Sequence, residues 1–333
     1  MTDALVDLAR SPALYPMALD LTRDAIRFVR MDEAAYGESS FLDERIVTRD
    51  QAGYWIPFAN VQAAMSVKTL PKPLHFIFHA GHVGSTLLSR LIAETGRVLS
   101  LREPFPLRTL AEAIDVGAAG IDAKLETFLR LWERGFAGTE AVVLKATSTA
   151  ERLAPKLLTL RPEAKAIALN VSADAYLATL LAGSNSAADL NAHGPERMHR
   201  LKAMEVEVPR PSTLGELAAM SWLVEALTQA EMQREFGARI LKLDFDRMLL
   251  SLESTMALVL DHFGIAHDAG DAAAIAASPA LTRYSKAPEH DYSPALRSSL
   301  LDEARGRYPD EIRAALAWLE RLAATQERVA ALL

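Results

Sequence analysis

The chain contains no cysteine, which excludes disulfide frameworks, thiolate metal sites and a cysteine nucleophile. It also lacks an unbroken apolar run of the roughly 20 residues that a bilayer-crossing helix requires. The N-terminus, where Asp3, Asp7 and Asp20 interrupt short apolar patches, is not patterned as a secretory signal. Positive charge is in the minority, with 36 Lys and Arg against 43 Asp and Glu and a net charge of −7. That balance argues against a nucleic-acid-binding surface and leaves any anionic ligand to be held by local geometry. Together these absences lead us to expect a soluble, cytoplasmic protein with neither nucleic acid nor membrane as a partner.

What is present is apolar mass: half of the 333 residues are hydrophobic, ample for a large core. Short runs rich in Val, Ile, Leu and Phe at 74–79, 98–102, 141–145, 165–170 and 239–245 read as strands. The segments between them have helical periodicity, which predicts an α/β class with a mostly parallel sheet covered on both faces. Residues 71–333 form this domain in our reading. Residues 1–70 read as a helical and loop-rich N-terminal extension with one β-like patch at 26–29. The two prolines in 68–73 mark a linker.

A long helix is expected from Thr213, with Glu216 three residues on as a capping box, to near Gly237. Another runs over 251–262 and stops at Gly264. The tract 182–212, holding Gly, Ser, Asn, His and Pro, reads as loop. Residues 310–333 read as one amphipathic helix with Ile312, Leu316, Leu319, Leu322 and Val329 on one side. That helix could pack on its own chain or on a second copy in a homodimer.

The most informative stretch is Leu74-His75-Phe76-Ile77-Phe78-His79-Ala80-Gly81-His82-Val83-Gly84-Ser85-Thr86-Leu87-Leu88-Ser89-Arg90. An apolar strand runs into a small-residue turn and then into an apolar helix start. Exposed backbone N–H groups and the positive end of a helix suit a phosphate-like anion. The nucleotide-triphosphatase pattern G-x-x-x-x-G-K-[ST] would need glycine at His79 and lysine at Ser85. Both are absent, and with them the point charge on the β- and γ-phosphates.

The form Gly84-Ser85-Thr86-Leu87-Leu88 after a short polar turn instead resembles the 5′-phosphosulfate loop of PAPS-dependent sulfotransferases, in their bacterial and tyrosylprotein-sulfotransferase-like branch. The resemblance implies a P-loop-containing nucleotide-binding fold, PAPS as sulfuryl donor, no metal, and a small-molecule or glycan acceptor with a hydroxyl or amine. It implies that Gly81, His82, Val83, Gly84, Ser85, Thr86 and Leu87 hold the 5′-phosphate. His82 stands where the family carries lysine or arginine. Glu103, in Ser100-Leu101-Arg102-Glu103-Pro104, would be the base that accepts the acceptor's proton. Lys145, at the end of the third strand, would contact the sulfuryl oxygens.

For the 3′-phosphate the family's arginine and serine positions correspond to Asn170 and Ala178, so this site diverges. Asn170 is carried over nonetheless. The run Arg283-Tyr284-Ser285-Lys286 resembles the family's late loop over the nucleotide. Plainer readings stand beside these: a solvated loop histidine at 82, a surface ion pair of Glu103 with Arg102 or Arg108, a snorkelling Lys145, and a solvated basic loop at 283–286. A P-loop kinase with a degenerate loop and a non-catalytic binding protein are the alternative functions. His75, His79 and His82 are poorly spaced for a shared metal, because only the first two lie on one strand face.

Overall fold

The structure is a computed structural model that describes residues 8–47, 53–66, 70–285 and 290–333. The five apolar runs form strands at nearly the expected bounds: β4 (Leu74–His79), β5 (Val98–Arg102), β6 (Ala141–Lys145), β7 (Ala166–Asn170) and β8 (Ile240–Asp244). They make one parallel sheet in the order β5-β6-β4-β7-β8. The expected α/β class with a helix-flanked central parallel sheet is therefore what the chain adopts.

Period-two alternation divides the core. Leu74, Phe76, Phe78, Leu99, Leu101, Val142 and Leu144 face one apolar cluster, while Ile77, Val98, Val143, Ile167 and Leu169 face another. Each strand feeds both layers, so nearly every position is apolar, as a sheet buried on both faces requires.

The N-terminal extension differs from the sequence reading. It holds three strands, β1 (Leu14–Asp20), β2 (Ala25–Arg30) and β3 (Tyr54–Pro57), in an antiparallel sheet. Its Tyr15, Met17, Ile26 and Phe28 share the cluster of Phe76 and Phe78. The linker expected over 68–73 falls partly on residues 67–69, which lie outside those described.

The helices that bear on the site are α1 (Ser85–Ala93), α2 (Ala173–Ala182), α3 (Ser186–Ala203), α4 (Leu214–Phe236), α5 (Pro294–Arg307) and α6 (Pro309–Ala323). Helix α4 begins and ends where expected. Thr213 accepts from the Glu216 amide, and the Glu216 carboxylate takes the Ser212 amide and hydroxyl at 2.7 Å. The expected helix at 251–262 spans Leu252–Phe263 and ends on left-handed Gly264. The tract expected as loop contains α3. The single closing helix is two, α6 and Glu327–Ala330. Of its expected apolar side, Ile312, Leu319, Leu322 and Val329 are buried in this chain's own core.

Candidate functional site

The C-terminal ends of β4, β5 and β6 form a ledge where open α/β sheets gather ligand-contacting groups. Register places Ile77 and Arg102 level with Lys145, so Glu103 and His79 project just beyond. The Glu103 amide donates to the Lys145 carbonyl at 2.8 Å, and the Lys145 ammonium pairs with the Glu103 carboxylate. His79 Nε2 lies 4.0 Å from Glu103 Oε1. The other imidazole nitrogen, Nδ1, accepts the Gly81 N–H at 3.0 Å. That bond puts the proton of the neutral ring on Nε2, toward Glu103. The imidazole is thus bonded to the turn and lies beside the carboxylate, beyond hydrogen-bond distance.

The turn itself is built from left-handed residues: Gly81 at φ 85°, His82 at 56° and Gly84 at 74°. Glycine is required at 84 twice over, because a Cβ there would lie 2.1 Å from the Phe245 ring. Only four described non-glycine residues have positive φ, and His82 and Glu103 are two of them. Each costs on the order of 1 kcal/mol, so the fold holds strain at both sides of the ledge. The Tyr176 hydroxyl fixes the turn by donating to the Ala80 carbonyl at 3.0 Å.

Gly84 caps α1, whose first amides have no intrahelical partner. Thr86 is 2% exposed and its hydroxyl has no hydrogen-bond partner. It lines a cavity of about 520 Å³ together with His82, Gly84, Leu87, Ala178, Thr179, Tyr284 and Ser285. A helix head and an orphaned buried hydroxyl facing one cavity are what an oxyanion would satisfy.

Two arginines tie residues 36–40 and Ser285 to this site. Arg102 Nη1 donates to the carbonyls of Tyr36, Gly37 and Ser39. Arg90, in the last turn of α1, donates to the Gly37, Glu38 and Ser285 carbonyls and to the Ser40 hydroxyl. Ser40 in turn donates to Ser285 at 3.1 Å. The late loop is thereby tied to the helix that opens the anion cradle. Phe41 continues from this anchor, with its ring 5.9 Å from Lys145 Nζ and 3.6 Å from the Arg45 guanidinium.

The structure brings together His82, Gly84, Thr86, Leu87, Tyr284 and Ser285 around the cavity, and Glu103 with Lys145 beside the turn. Val83 and Ser85 are buried in the turn and the first turn of α1, and Val83 can contribute only its main chain. Arg283 pairs by its backbone with Asp291 at the edge of the late loop. Lys286 lies outside the described residues.

Asn170 is directed elsewhere: it donates to Gln229 at 3.0 Å, accepts its neighbour's amide and lines a separate groove with Trp222, Lys242 and Asp244. Asp244 caps the helix Phe245–Leu250 by accepting from the Arg247 amide. The Lys145 head, expected to project into the crevice, is wholly buried. Arg102 and Arg108 are engaged away from Glu103, the first with carbonyls and the second with Glu112.

Residues missed in the sequence are His79, which reads as a strand-end histidine, and Arg297 and Arg307 of α5, which border the cavity. An i, i+10 pair of arginines on a C-terminal helix carries no sequence signal for a site more than 200 residues upstream. Among the described residues no cluster of three or more metal-ligating side chains occurs, and no helix is long and apolar enough to cross a membrane.

No protein-family model and no curated protein matches the chain. Among solved structures it is similar to the sulfotransferase domain from the curacin biosynthetic pathway, at 13% identity and TM-score 0.39, over 76% of this chain and 99% of that one. It is similar to a sulfotransferase from Alicyclobacillus acidocaldarius at 13% identity and TM-score 0.38, over 73% and 97%. The third is sulfotransferase STF9 from Mycobacterium avium, at 11% identity and TM-score 0.41, over 92% and 96%.

Proposed function

We propose that the chain transfers a sulfuryl group from PAPS to a hydroxyl or amine of a small molecule or glycan. The observation that carries this reading is that the α1 head, with the orphaned Thr86 hydroxyl, and the Glu103 carboxylate stand at the same edge of the sheet, with His79 bonded to the turn and 4.0 Å from Glu103. An oxyanion cradle and a carboxylate on one ledge are the two parts that metal-free group transfer needs. The α1 head, Thr86 and His82 hold the 5′-phosphate and the transferring oxygens. Glu103 accepts the proton as the acceptor's O–H or N–H bond breaks and its bond to sulfur forms; the bridging S–O bond of the donor breaks, and its electron pair leaves with the nucleotide phosphate.

Lys145, buried behind Glu103, acts as a positioning residue in this scheme. Tyr284 and Ser285 cover the nucleotide. With Asn170 turned away and Ala178 without a polar group, Arg307 and Arg297, the latter paired with Asp246 at 2.6 Å, are the arginines that border the cavity for the second phosphate.

Calorimetric titration with adenosine 3′,5′-bisphosphate tests the donor site. Binding that is indifferent to Mg²⁺ is expected, and no heat at millimolar nucleotide overturns the reading. Mg²⁺-dependent ATP binding would favour a kinase instead. In a turnover assay Glu103→Gln is expected to lose about 10²–10⁴-fold in rate while nucleotide affinity stays unchanged. A parent without turnover but with full nucleotide affinity would mark a binding protein.

A further inference from the structure

A second and much smaller cavity, of about 90 Å³, shares His82 of the turn with the 520 Å³ one. Ala80, Gly81 and His82 form its roof, Ser148 and Thr149 come from the segment after β6, and Arg197 and Arg200 come from α3. Both arginines are more than nine-tenths buried, at 8% and 7% exposure. Arg200 is bidentate to Glu225 at 2.7 and 2.9 Å and also donates to Thr228, yet its Nε has no partner. Arg197 is held less well: its contact with Asp189 is 3.4 Å long, Asp189 is half exposed, and Nη1 has no partner. The Thr149 hydroxyl is likewise orphaned.

Both guanidinium groups have a carboxylate within 4 Å, but the Arg197 Nη1 and Arg200 Nε donors are left over, and buried donors are nearly always satisfied. Carboxylates do line the space. Glu225, however, is consumed by Arg200, and Asp189 is solvated. Glu196 lies 3.7 Å from Arg200, and its Oε1 is the one orphaned carboxylate oxygen of the lining against three orphaned groups able to donate, Arg197 Nη1, Arg200 Nε and the Thr149 hydroxyl.

We propose that this cavity is a second oxyanion site and that it takes an acid group, such as a carboxylate, carried by the acceptor substrate. The volume admits one such group. The donors are the forked and hydroxyl types that recognise planar or tetrahedral oxyanions. His82 lines both cavities, so the two sites adjoin at this residue, and the acceptor assigned here is one whose acid sits in the smaller cavity and whose nucleophile reaches past His82. The placement on an acceptor rests on the sulfuryl-transfer reading; the oxyanion site itself does not.

Inorganic sulfate, titrated into the full chain by calorimetry, is the first probe. Two sites are expected, one displaced by adenosine 3′,5′-bisphosphate and one indifferent to it. The indifferent site weakens at least tenfold in Arg197→Gln and three- to tenfold in Thr149→Val, which decides the matter should the arginine variant not fold. The proposal is overturned if no nucleotide-indifferent sulfate is taken up, leaving a solvent pocket, or if neither variant weakens it. Failure of the nucleotide alone to bind removes the donor reading and leaves the sulfate count intact.

The second arm separates an acceptor's acid from a free anion. A series of hydroxy acids with two to six carbons between hydroxyl and carboxylate is titrated against the matching diols in the presence of nucleotide. At least one acid is expected to bind tenfold better than its diol, with that preference lost in Arg197→Gln. Sulfate uptake with no hydroxy acid preferred over its diol makes the occupant a free inorganic anion and overturns the acceptor assignment.

Discussion

At the scale of single residues, strain and burial collect around β4. His75, at the start of the strand, accepts the Lys165 amide through Nδ1 at 3.1 Å and stacks on Phe263 at 5.0 Å. Burial pushes its pKa down to about 4, and the nearby Lys165 and His262 add in the same direction. A histidine with a depressed folded pKa contributes stability that is present above its unfolded value, near 6.5, and is lost as pH falls toward the folded value. The expected loss from His75 accumulates between about pH 6.5 and pH 4 and is on the order of 3 kcal/mol. Urea denaturation across that window should show His75→Gln without this part of the slope, leaving the slope from the other shifted groups, among them His262, which burial also shifts downward. Parallel curves for parent and variant would refute the assignment.

At the scale of elements, α4 and α6 touch at their N-termini. The Gly215 amide donates to Glu311 Oε2 at 2.6 Å, and a Cβ at 215 would lie 2.1 Å from the Glu311 carbonyl oxygen. Alanine improves helix propensity by roughly 1 kcal/mol over glycine, yet here it must push two backbones apart. Gly215→Ala is therefore expected to destabilise by about 1–3 kcal/mol, read as a lower urea midpoint; a higher midpoint would show that the helices do not approach so closely.

The same scale explains what could be read from the residues. β4, β5 and β6 are apolar on both faces, so their pattern is unbroken and their bounds were legible to the residue. β1 carries Pro16 and a register shift at Pro16/Ala18, which hides its alternation. α3 contains Gly194 and Pro195, and it is held by Leu190, Arg197, Arg200 and Leu201 packing inward rather than by propensity. At the site, the turn and Glu103 are local in sequence and could be found. The approach of His79 to Glu103, and the turning of Asn170 toward Gln229 on α4, depend on distant packing and could not.

At the scale of the whole molecule, three segments far apart in sequence converge behind the turn: the 3₁₀ segment Ser148–Leu153, α3 and α4. They bring Glu151, Arg200 and Glu225 into one buried polar cluster. Glu151 is completely enclosed, and burial first, then the Glu225 charge, hold its carboxyl well above the usual range. An acid with a raised folded pKa contributes stability that is present below its unfolded value, near 4.5, and lost as pH rises toward the folded value. At neutral pH this residue therefore works against the fold.

Glu151→Gln keeps the shape and stays neutral, so it is expected to unfold at higher urea than the parent at pH 8, with the gap closing as pH falls toward 4.5. Glu225→Gln differs, because it takes the bidentate partner from a buried guanidinium and should cost about 3–5 kcal/mol even where the Glu151 gap has closed. Urea midpoints of the two variants from pH 4.5 to 8.5 separate these effects. A Glu151→Gln gap that does not change with pH would mean that the carboxyl is not held neutral, and that Arg200 balances two carboxylates rather than one.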